Sequence, residues 1–311
     1  MVRRAVTLMM LAVLAGCGGA QQPIPVVTDR PDVARAAPPP DPVLVPALTG
    51  QQPQAAADPR SLARQITAGE TAVRDPVSRP ELVAAGGRTA QVAYRALVDR
   101  PGWDAAVLAD VPAPLHDAVQ HNAAAGREFQ AMASRLPTTL PAWRIVEPLP
   151  AQEIRAHYAE AQRRFGVPWQ VLAAVHLVET NMGRIVGLSA AGAQGPMQFM
   201  PATWARYGLG GDVWDTRDAI LGAANYLAAN GAADGTDAAL DKALYRYNND
   251  TRYVRGVRHY AKVMQADERA FLGLHARHVY YRTQFGDVLL PTGYESTESM
   301  PVQDWLARGP R

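Results

Sequence analysis

The chain has 311 residues, of which 31 are lysine or arginine and 29 are aspartate or glutamate, and it contains a single cysteine. Arg3 and Arg4 account for the whole basic excess, so the chain lacks the basic balance that is typical of nucleic-acid-binding proteins, and we expect no nucleic-acid partner. A single cysteine also excludes an internal disulfide, so packing must stabilise the fold.

The N-terminus has the features of a secretory leader. Arg3 and Arg4 precede an apolar run over residues 5–14, which is too short to span a bilayer. The sequence "LAGC" ends this leader and resembles the lipobox of bacterial lipoproteins. The resemblance implies that residues 1–16 are a signal peptide, that Cys17 becomes a lipidated N-terminus, and that the protein is anchored to a membrane outside the cytoplasm. An ordinary signal peptide with a chance cysteine is the alternative.

Two segments without a recognisable motif follow the leader. Residues 18–58 are rich in proline, glutamine and alanine and lack hydrophobic periodicity, which predicts an extended tether. Residues 59–148 are rich in alanine, and their apolar residues recur at helical spacing. We interpret this second segment as a helical accessory region that packs on the rest of the chain.

Residues 149–266 carry successive helix signals. Gly166 ends one predicted helix, Pro168 begins the next, and Asp215 is placed to cap a third. Because no alternating apolar run occurs in this segment, the sequence predicts an all-α domain. The tail, residues 267–311, contains a stretch that predicts a short β-hairpin or an extended strap.

Glu179 stands out in the second of these helices, because its carboxylate shares a helical stripe with the apolar residues Leu172 and Val175. Desolvation on that face would raise the pKa of the carboxyl group and keep it protonated nearer neutral pH, as a general acid requires. The alternative is a structural glutamate that bonds a backbone amide or an arginine such as Arg184.

The stretch after Glu179 favours the catalytic interpretation over the structural one. Four glycines there let the backbone approach a ligand closely; they are Gly183, Gly187, Gly192 and Gly195. The motifs "ETNMG", "SAAGAQGPMQFMP", "DVWDTRDAILGAANYL" and "YRYNND" then resemble, in order, those of the lytic transglycosylase family with a goose-lysozyme-like fold. The resemblance covers residues 149–266. It implies an enzyme that cleaves the MurNAc–GlcNAc β-1,4 bond of peptidoglycan, leaves a 1,6-anhydro-MurNAc end and needs no cofactor.

The resemblance also assigns roles to individual residues. Glu179 matches the family's catalytic acid, although Thr180 stands where the family has a serine. Tyr247 and Asn248 match residues that lie beside the carboxylate, with Arg246 in place of an alanine.

Three further residues match positions that line the sugar groove in this family. They are Ser189, Met197 and Gln198, and the leucine that the family has before the methionine is replaced here by Pro196. The two substitutions Thr180 and Pro196 leave the carboxylate in place and affect the shape of the groove.

The number of carboxylates leaves the reaction open. Ordinary glycosidases use two, one as acid and one as base or nucleophile, whereas these motifs contain one. A single glutamate suffices if the N-acetyl oxygen and the 6-hydroxyl of the substrate take part. Asp212, Asp215 and Asp218 are candidates for a second carboxylate, which would make the protein a hydrolytic muramidase. A non-catalytic wall-binding lipoprotein is a further alternative.

Two pairs of residues have a spacing that occurs in metal sites. His176 and Glu179 lie three residues apart, as do His275 and His278, and a zinc hydrolase that uses His176 is the corresponding hypothesis. Without an HExxH motif or a cysteine cluster we expect no metal. Several aromatic residues near the motifs are assigned to packing rather than to sugar stacking, with Tyr247 as the exception; the others are Tyr245, Tyr253, Tyr260, Trp204 and Trp214.

Overall fold

A computed structural model describes residues 39–133 and 135–308 of the chain. The predicted signal peptide, the predicted lipidation residue Cys17 and the first part of the predicted tether lie outside these residues. Along the described chain, no helix combines the length and the apolar character that crossing a membrane requires.

Helices make up most of the described chain. The α-helices are α1 (Val45–Leu48), α2 (Pro59–Arg74), α3 (Pro80–Val98), α4 (Asp104–Asp110), α5 (His116–Met132), α6 (Ala151–Phe165), α7 (Trp169–Thr180), α8 (Pro201–Tyr207), α9 (Thr216–Ala229), α10 (Asp237–Tyr247), α11 (Thr251–Ala266), α12 (Ala270–His275) and α13 (Val302–Ala307). Short 3-10 helices cover Pro42–Leu44, Pro101–Trp103 and Ala113–Leu115.

The strands are short and pair only in twos, in antiparallel fashion. They are β1 (Thr139–Leu140), β2 (Arg144–Ile145), β3 (Ile185–Val186), β4 (Val279–Thr283), β5 (Gly286–Leu290) and β6 (Met300–Pro301). β1 pairs with β6, β2 with β3, and β4 with β5. The β4–β5 pair is the hairpin that the tail sequence predicts. The structure therefore confirms the predicted all-α class with a small hairpin near the C-terminus.

The prediction of an extended tether over residues 18–58 is wrong for its second part. Leu44 and Ala47 are only 2% and 1% exposed, because this segment packs against α2 and α3. The prolines that prompted the prediction lie here in the first turns of short helices, where the missing N–H costs no hydrogen bond. Composition alone does not distinguish a proline in the first turn of a helix from a proline in an extended segment.

The accessory helices α2 and α3 meet at a pair of glycines. A Cβ atom on Gly69 would lie 2.8 Å from the carbonyl oxygen of Gly86, and one on Gly86 would lie 2.7 Å from that of Gly69. Only glycine permits this approach, so these residues fix how the two helices pair. Helix α5 follows and packs on both α3 and α11, which brings the accessory region against the predicted catalytic domain.

Helix α7 is the central helix of that domain. Residues 171–177 are buried, because α6, α9 and α11 all pack against the helix. A helix that is apolar on nearly every side belongs in a core. Its last turn, which carries Glu179, emerges from the core at the site described below.

The ends of α6 and α7 agree only partly with the predictions. α6 ends at Gly166 in the left-handed conformation (φ 73°), as predicted. Pro168 caps α7 rather than forming its first residue, and α7 ends where Asn181 turns left-handed (φ 52°), two residues before the first glycine of the loop, Gly183. Asparagine tolerates this conformation better than most residues with a side chain, so the chain turns two residues early.

Candidate active site

The carboxyl group of Glu179 lies at the end of α7 and has one side-chain hydrogen bond among the described residues. Tyr253 of α11 donates its hydroxyl to Oε1 of Glu179 over 2.7 Å. Burial raises the pKa of Glu179 to about 7, and the hydrogen bond from Tyr253 opposes part of that rise. Near neutral pH, the carboxyl group is therefore protonated in a large fraction of molecules.

Arg184 does not pair with this carboxyl group. Its guanidinium donates to Oε2 of Glu147 over 3.1 Å and to the carbonyl of His275 over 3.2 Å. Within the described part of the chain, no lysine or arginine forms an ion pair with Glu179. The alternative in which Glu179 only partners Arg184 is therefore wrong.

Two stacked tyrosines flank the carboxyl group. The rings of Tyr247, at the end of α10, and Tyr253 are 6.4 Å apart and 7° from parallel. The hydroxyl of Tyr247 donates to the carbonyl of Met197 over 2.6 Å, so this side chain joins α10 to the loop after α7. Burial raises the pKa of both tyrosines well above the usual value, and both remain neutral donors.

The sequence analysis missed Tyr253 as the partner of the acid. Asp250 caps α11 by accepting from the amide of Arg252, which fixes Tyr253 in the first turn of the helix. The aspartate cap was a usable signal for the helix start. Nothing in the sequence showed that the first turn faces Glu179, which lies 74 residues earlier in the chain.

Thr180 ties the end of α7 to the glycine-rich loop, which we define as residues 183–200. Its hydroxyl is fully buried, donates to the carbonyl of Pro196 over 2.6 Å and accepts from the amide of Gly183 over 3.1 Å. Thr180 and Pro196, two of the three residues that depart from the family pattern, are thus hydrogen-bonded to each other.

The loop passes very close to the chain before α9. A Cβ atom on Gly195 would lie 1.8 Å from the carbonyl oxygen of Val213, and Gly195 itself has φ 73°. Glycine is therefore required at this position.

The side chains of Ser189 and Gln198 also hold the glycine-rich loop. Ser189 Oγ accepts from the amides of Ala191 (3.2 Å) and Ala193 (2.9 Å). The Gln198 amide donates to the carbonyl of Gly195 over 3.0 Å, with the Gln198 backbone at φ 50°. Both side chains therefore hydrogen bond within the loop itself.

The side chain of Met197 is buried in the core, whereas the sequence predicts that it lines the sugar groove. Its side chain has no exposed surface and packs in the core with Phe199. Only its carbonyl faces the site, where Tyr247 binds it. A methionine is apolar and flexible enough to fill the core, so its side chain packs there and does not line a groove.

Asn248 caps the end of α10 directly after Tyr247. Its backbone N–H donates to the carbonyl of Leu244 over 3.0 Å, and its backbone carbonyl accepts from the N–H of Asp250 over 2.6 Å. The half-buried Asn248 therefore forms the tight connection that places the two stacked tyrosines side by side.

A cleft of about 210 Å³ adjoins these residues. Its walls include Gln198, Tyr247 and several neighbours, which are Phe199, Met200, Thr203, Tyr226 and Arg246. Aromatic rings together with amide and guanidinium donors suit a sugar, which offers an apolar face and hydroxyl edges.

The three aspartates proposed as a second carboxylate are engaged at the start of α9. Asp215 caps the helix by accepting from the amide of Asp218 over 2.9 Å, as predicted. Asp218 accepts in turn from the amide of Asp212 over 3.0 Å. These contacts give the group a structural role.

His176 is enclosed in the core of the domain. Its Nδ1 lies 2.8 Å from the hydroxyl of Tyr158, and burial lowers the pKa of the imidazole to about 3. His275 instead bonds the carbonyl of Leu149 through Nε2 over 2.9 Å. Among the described residues, no group of three or more potential metal ligands occurs.

The remaining aromatic residues divide into packed and exposed groups. Trp204 packs edge-on against Phe199, and Tyr260 stacks on Phe129. Trp214 and Tyr245 are 44% and 41% exposed. The packing prediction therefore fits Trp204 and Tyr260 better than the two exposed side chains.

A helical domain with one half-buried carboxyl group at the end of its core helix, directly before a glycine-rich loop, is consistent with the lysozyme-like class. A family model described as "Transglycosylase SLT domain" matches residues 157–269. This match covers about a third of the chain, and it confirms the resemblance and the fold class for that part.

Among known proteins, the chain is similar to a membrane-bound lytic murein transglycosylase F of Thiobacillus denitrificans. The two are 31% identical over 123 residues, which cover 38% of this chain and 26% of the relative. The chain thus spans about a quarter of the relative's length. No solved structure matches the chain significantly.

Proposed function

We propose that this protein is a peptidoglycan lytic transglycosylase, in which Glu179 acts first as general acid and then as general base. The observation that carries the proposal is the carboxyl group of Glu179 within a transglycosylase SLT domain, with a pKa raised to about 7 by burial. A general acid works best when its pKa is near the working pH. The similarity to a lytic murein transglycosylase supports the same substrate.

The hydrogen bond from Tyr253 supports a definite position for the acid proton. Because the tyrosine donates to Oε1, the proton of the neutral carboxyl group is carried by Oε2. Oε2 would then face the glycosidic oxygen, while Tyr253 keeps the carboxyl group from rotating.

The reaction proceeds in two proton transfers. Glu179 protonates the glycosidic oxygen as the bond from that oxygen to C1 of MurNAc breaks, and GlcNAc leaves as an alcohol. The N-acetyl oxygen of MurNAc stabilises the positive charge on C1. The carboxylate of Glu179 then takes the proton from the 6-hydroxyl, whose oxygen bonds to C1. No water is consumed, and the acid ends in its starting protonation state.

The groove residues would bind the sugar in distinct ways. We assign Ser189, Gln198 and Asn248 to polar contacts with the substrate, and Tyr247 to the wall of the cleft beside Gln198. Met197 would act through its carbonyl and its packing, since its side chain is buried. No cofactor takes part in this scheme.

Two variants test the role of the acid. Glu179→Gln should lower the rate of peptidoglycan solubilisation by about 10²–10⁴-fold, the usual contribution of general acid catalysis. Glu160→Gln is the matched control, because Glu160 is a carboxylate of the same domain that pairs with Arg217 at the surface. Full activity of Glu179→Gln would contradict the proposal.

The variants Glu179→Gln and Glu160→Gln also distinguish an enzyme from a protein that only binds the cell wall. Sedimentation with insoluble peptidoglycan should show that both variants still bind. If the wild-type protein binds peptidoglycan but releases no fragments at any pH near neutral, the protein is a non-catalytic wall-binding protein. If it releases fragments with reducing ends, it is a hydrolytic muramidase.

We also propose that the protein works in the cell envelope, held to a membrane by lipid on Cys17. The leader sequence and the membrane-bound relative support this location. Metabolic labelling with a fatty acid should label the wild-type protein and leave Cys17→Ser unlabelled. Equal labelling of both, or of neither, would contradict the anchor and leave the enzymatic proposal untouched.

A further inference from the structure

A second cavity lies away from Glu179, where the accessory helices meet the C-terminal hairpin. It encloses about 250 Å³ between α3, α5, α11 and the β4 strand. Of the residues that line it, Tyr260 alone lies inside the matched transglycosylase SLT domain. The cavity therefore belongs to the junction between that domain and the two flanking regions.

Three arginines line the cavity, and two of them are paired with carboxylates. Arg95 is neutralised by Asp287 over 2.6 Å, and Arg282 by Asp99 over 2.7 Å. Arg277 differs from them, since no carboxylate of the described residues lies within ion-pair distance of its guanidinium.

The contacts of Arg277 are all with neutral groups. Its guanidinium donates to Oδ1 of Asn122 over 2.9 Å and to the hydroxyl of Tyr260 over 3.2 Å. Glu70, at the floor of the neighbouring smaller cavity, is already bound by Arg74 and by the hydroxyl of Tyr94. One positive charge with unused N–H donors thus remains at the wall of the cavity.

The other walls suit the body of a small organic molecule. Phe129, Tyr260 and Tyr280 supply aromatic surface, and the volume of about 250 Å³ is many times what a single water needs. A partly enclosed space with aromatic walls and one unmatched guanidinium is built for a carboxylate, which arginine binds through paired N–H donors.

The cavity also adjoins the packing behind the candidate acid. Phe129 stacks on Tyr260 at 6.0 Å and 9°, and its edge meets Tyr253 at 6.3 Å and 84°. Tyr253 is the hydrogen-bond partner of Glu179. A molecule in the cavity would therefore touch the ring that packs directly behind that partner.

We propose that this cavity is a second ligand site, which binds a small organic monocarboxylate with Arg277 as its anchor. The carboxylate can come from the C-terminus of a peptide or from a sugar acid. Binding at this site does not depend on the proposed catalytic activity.

Matched acid and neutral probes test the site by isothermal titration calorimetry on the purified protein. The peptide arm compares N-acetyl-alanyl-alanine with its C-terminal amide, and the sugar arm compares glucuronic acid with glucose. At least one acid should bind tenfold or more tightly than its neutral counterpart. Equal binding of acid and neutral probe in both arms would overturn the proposal.

Variants then assign the preference to the cavity. Arg277→Gln should abolish the preference for the acid, Arg277→Lys should retain part of it, and Glu179→Gln should keep all of it. If Arg277→Gln binds the acid as tightly as the wild type, or if Glu179→Gln loses the preference, the site is not this cavity. If Arg277→Gln does not fold, the wild-type comparison of acid and neutral probes, together with the weaker preference expected of Arg277→Lys, still tests the site.

Discussion

Two opposing influences act on the carboxyl group of Glu179. Burial raises its pKa to about 7, whereas the hydroxyl of Tyr253 stabilises the ionised form and limits that rise. The residue therefore holds a proton near neutral pH and can also lose it, as the proposed role in both proton transfers requires. This balance gives two predictions at the level of single residues.

Tyr253→Phe should move the pH dependence of activity. Removing a hydrogen bond that favours the carboxylate raises the pKa of Glu179 further, so the alkaline limb of the pH–rate profile should shift to higher pH. The rate at the optimum should fall by about fivefold to tenfold, because one hydrogen bond of about 1 kcal/mol is lost. Tyr247→Phe is the control, since its hydroxyl bonds Met197 and should leave that limb in place. A downward shift in Tyr253→Phe would contradict this account.

Glu179→Gln should stabilise the fold at alkaline pH. The acid has a folded pKa of about 7 and an ordinary value of 4.5, so the native state binds more protons between these values and loses stability as pH rises through them. The variant lacks this loss, and above pH 7 its free energy of unfolding should exceed that of the wild type by at most about 3 kcal/mol. Denaturant unfolding at pH 8 and at pH 4 measures the difference, which should vanish at the lower pH. A wild type that is more stable than the variant at pH 8 would contradict the raised pKa.

At the residue level, the sequence singled out Glu179 as a candidate acid but did not indicate its hydrogen-bond partner. Glu179 interrupts an apolar stripe, and such a pattern is visible within one helix. Tyr253 lies on another helix, and its pattern is equally compatible with ordinary core packing. Met197 shows the reverse case, because a residue in a recognisable motif serves the core through its side chain and the site through its carbonyl.

At the level of elements, the site depends on how α7 passes into the glycine-rich loop. Thr180 is the junction, since its buried hydroxyl binds the carbonyl of Pro196 and the amide of Gly183. A buried carbonyl or amide without a partner is costly, so this side chain holds the loop against the helix that carries Glu179.

Thr180→Val keeps the shape of the side chain and removes both hydrogen bonds. We expect the free energy of unfolding to fall by about 1–3 kcal/mol and the rate to fall with it, because Pro196 and Gly183 lose their partner. Thr180→Ser retains the hydroxyl and should keep most of the activity. Chemical denaturation and solubilisation assays on both variants provide the measurement; equal stability of the valine and serine variants would rule out this role.

Helix ends were predictable where a cap was local. Gly166 and Asp215 act as the sequence predicts, because each needs only its neighbours in the chain. The proline-rich segment before α2 was not predictable in this way, since Leu44 is buried by residues of other helices.

At the level of the whole molecule, the accessory helix α5 lies directly against α11, the helix that positions Tyr253. Arg255 donates two hydrogen bonds to Glu128, at 2.7 and 2.8 Å, and a Cβ on Gly256 would lie 2.5 Å from the ring of Phe129. Residues 59–148 and 149–266, which the sequence predicts as separate regions, therefore pack against each other through α5 and α11. Sequence periodicity indicated both sets of helices and contained no information on contacts more than 100 residues apart.

Residues 40–308 should therefore unfold together. Scanning calorimetry is expected to show one transition whose calorimetric and van't Hoff enthalpies agree, because the interface of α5 with α11 couples the two stretches. Two resolved transitions, or unfolding of the accessory helices while activity persists, would contradict this coupling.

In the proposed reaction, Glu179 cleaves peptidoglycan without consuming water. The most direct measurement is mass analysis of the fragments that the purified protein releases from peptidoglycan in water labelled with heavy oxygen, with Glu179→Gln beside it. We predict fragments one water lighter than the hydrolysis products, free of the label, and absent from the variant. Fragments with reducing ends that carry the label would contradict the claim and identify a hydrolase.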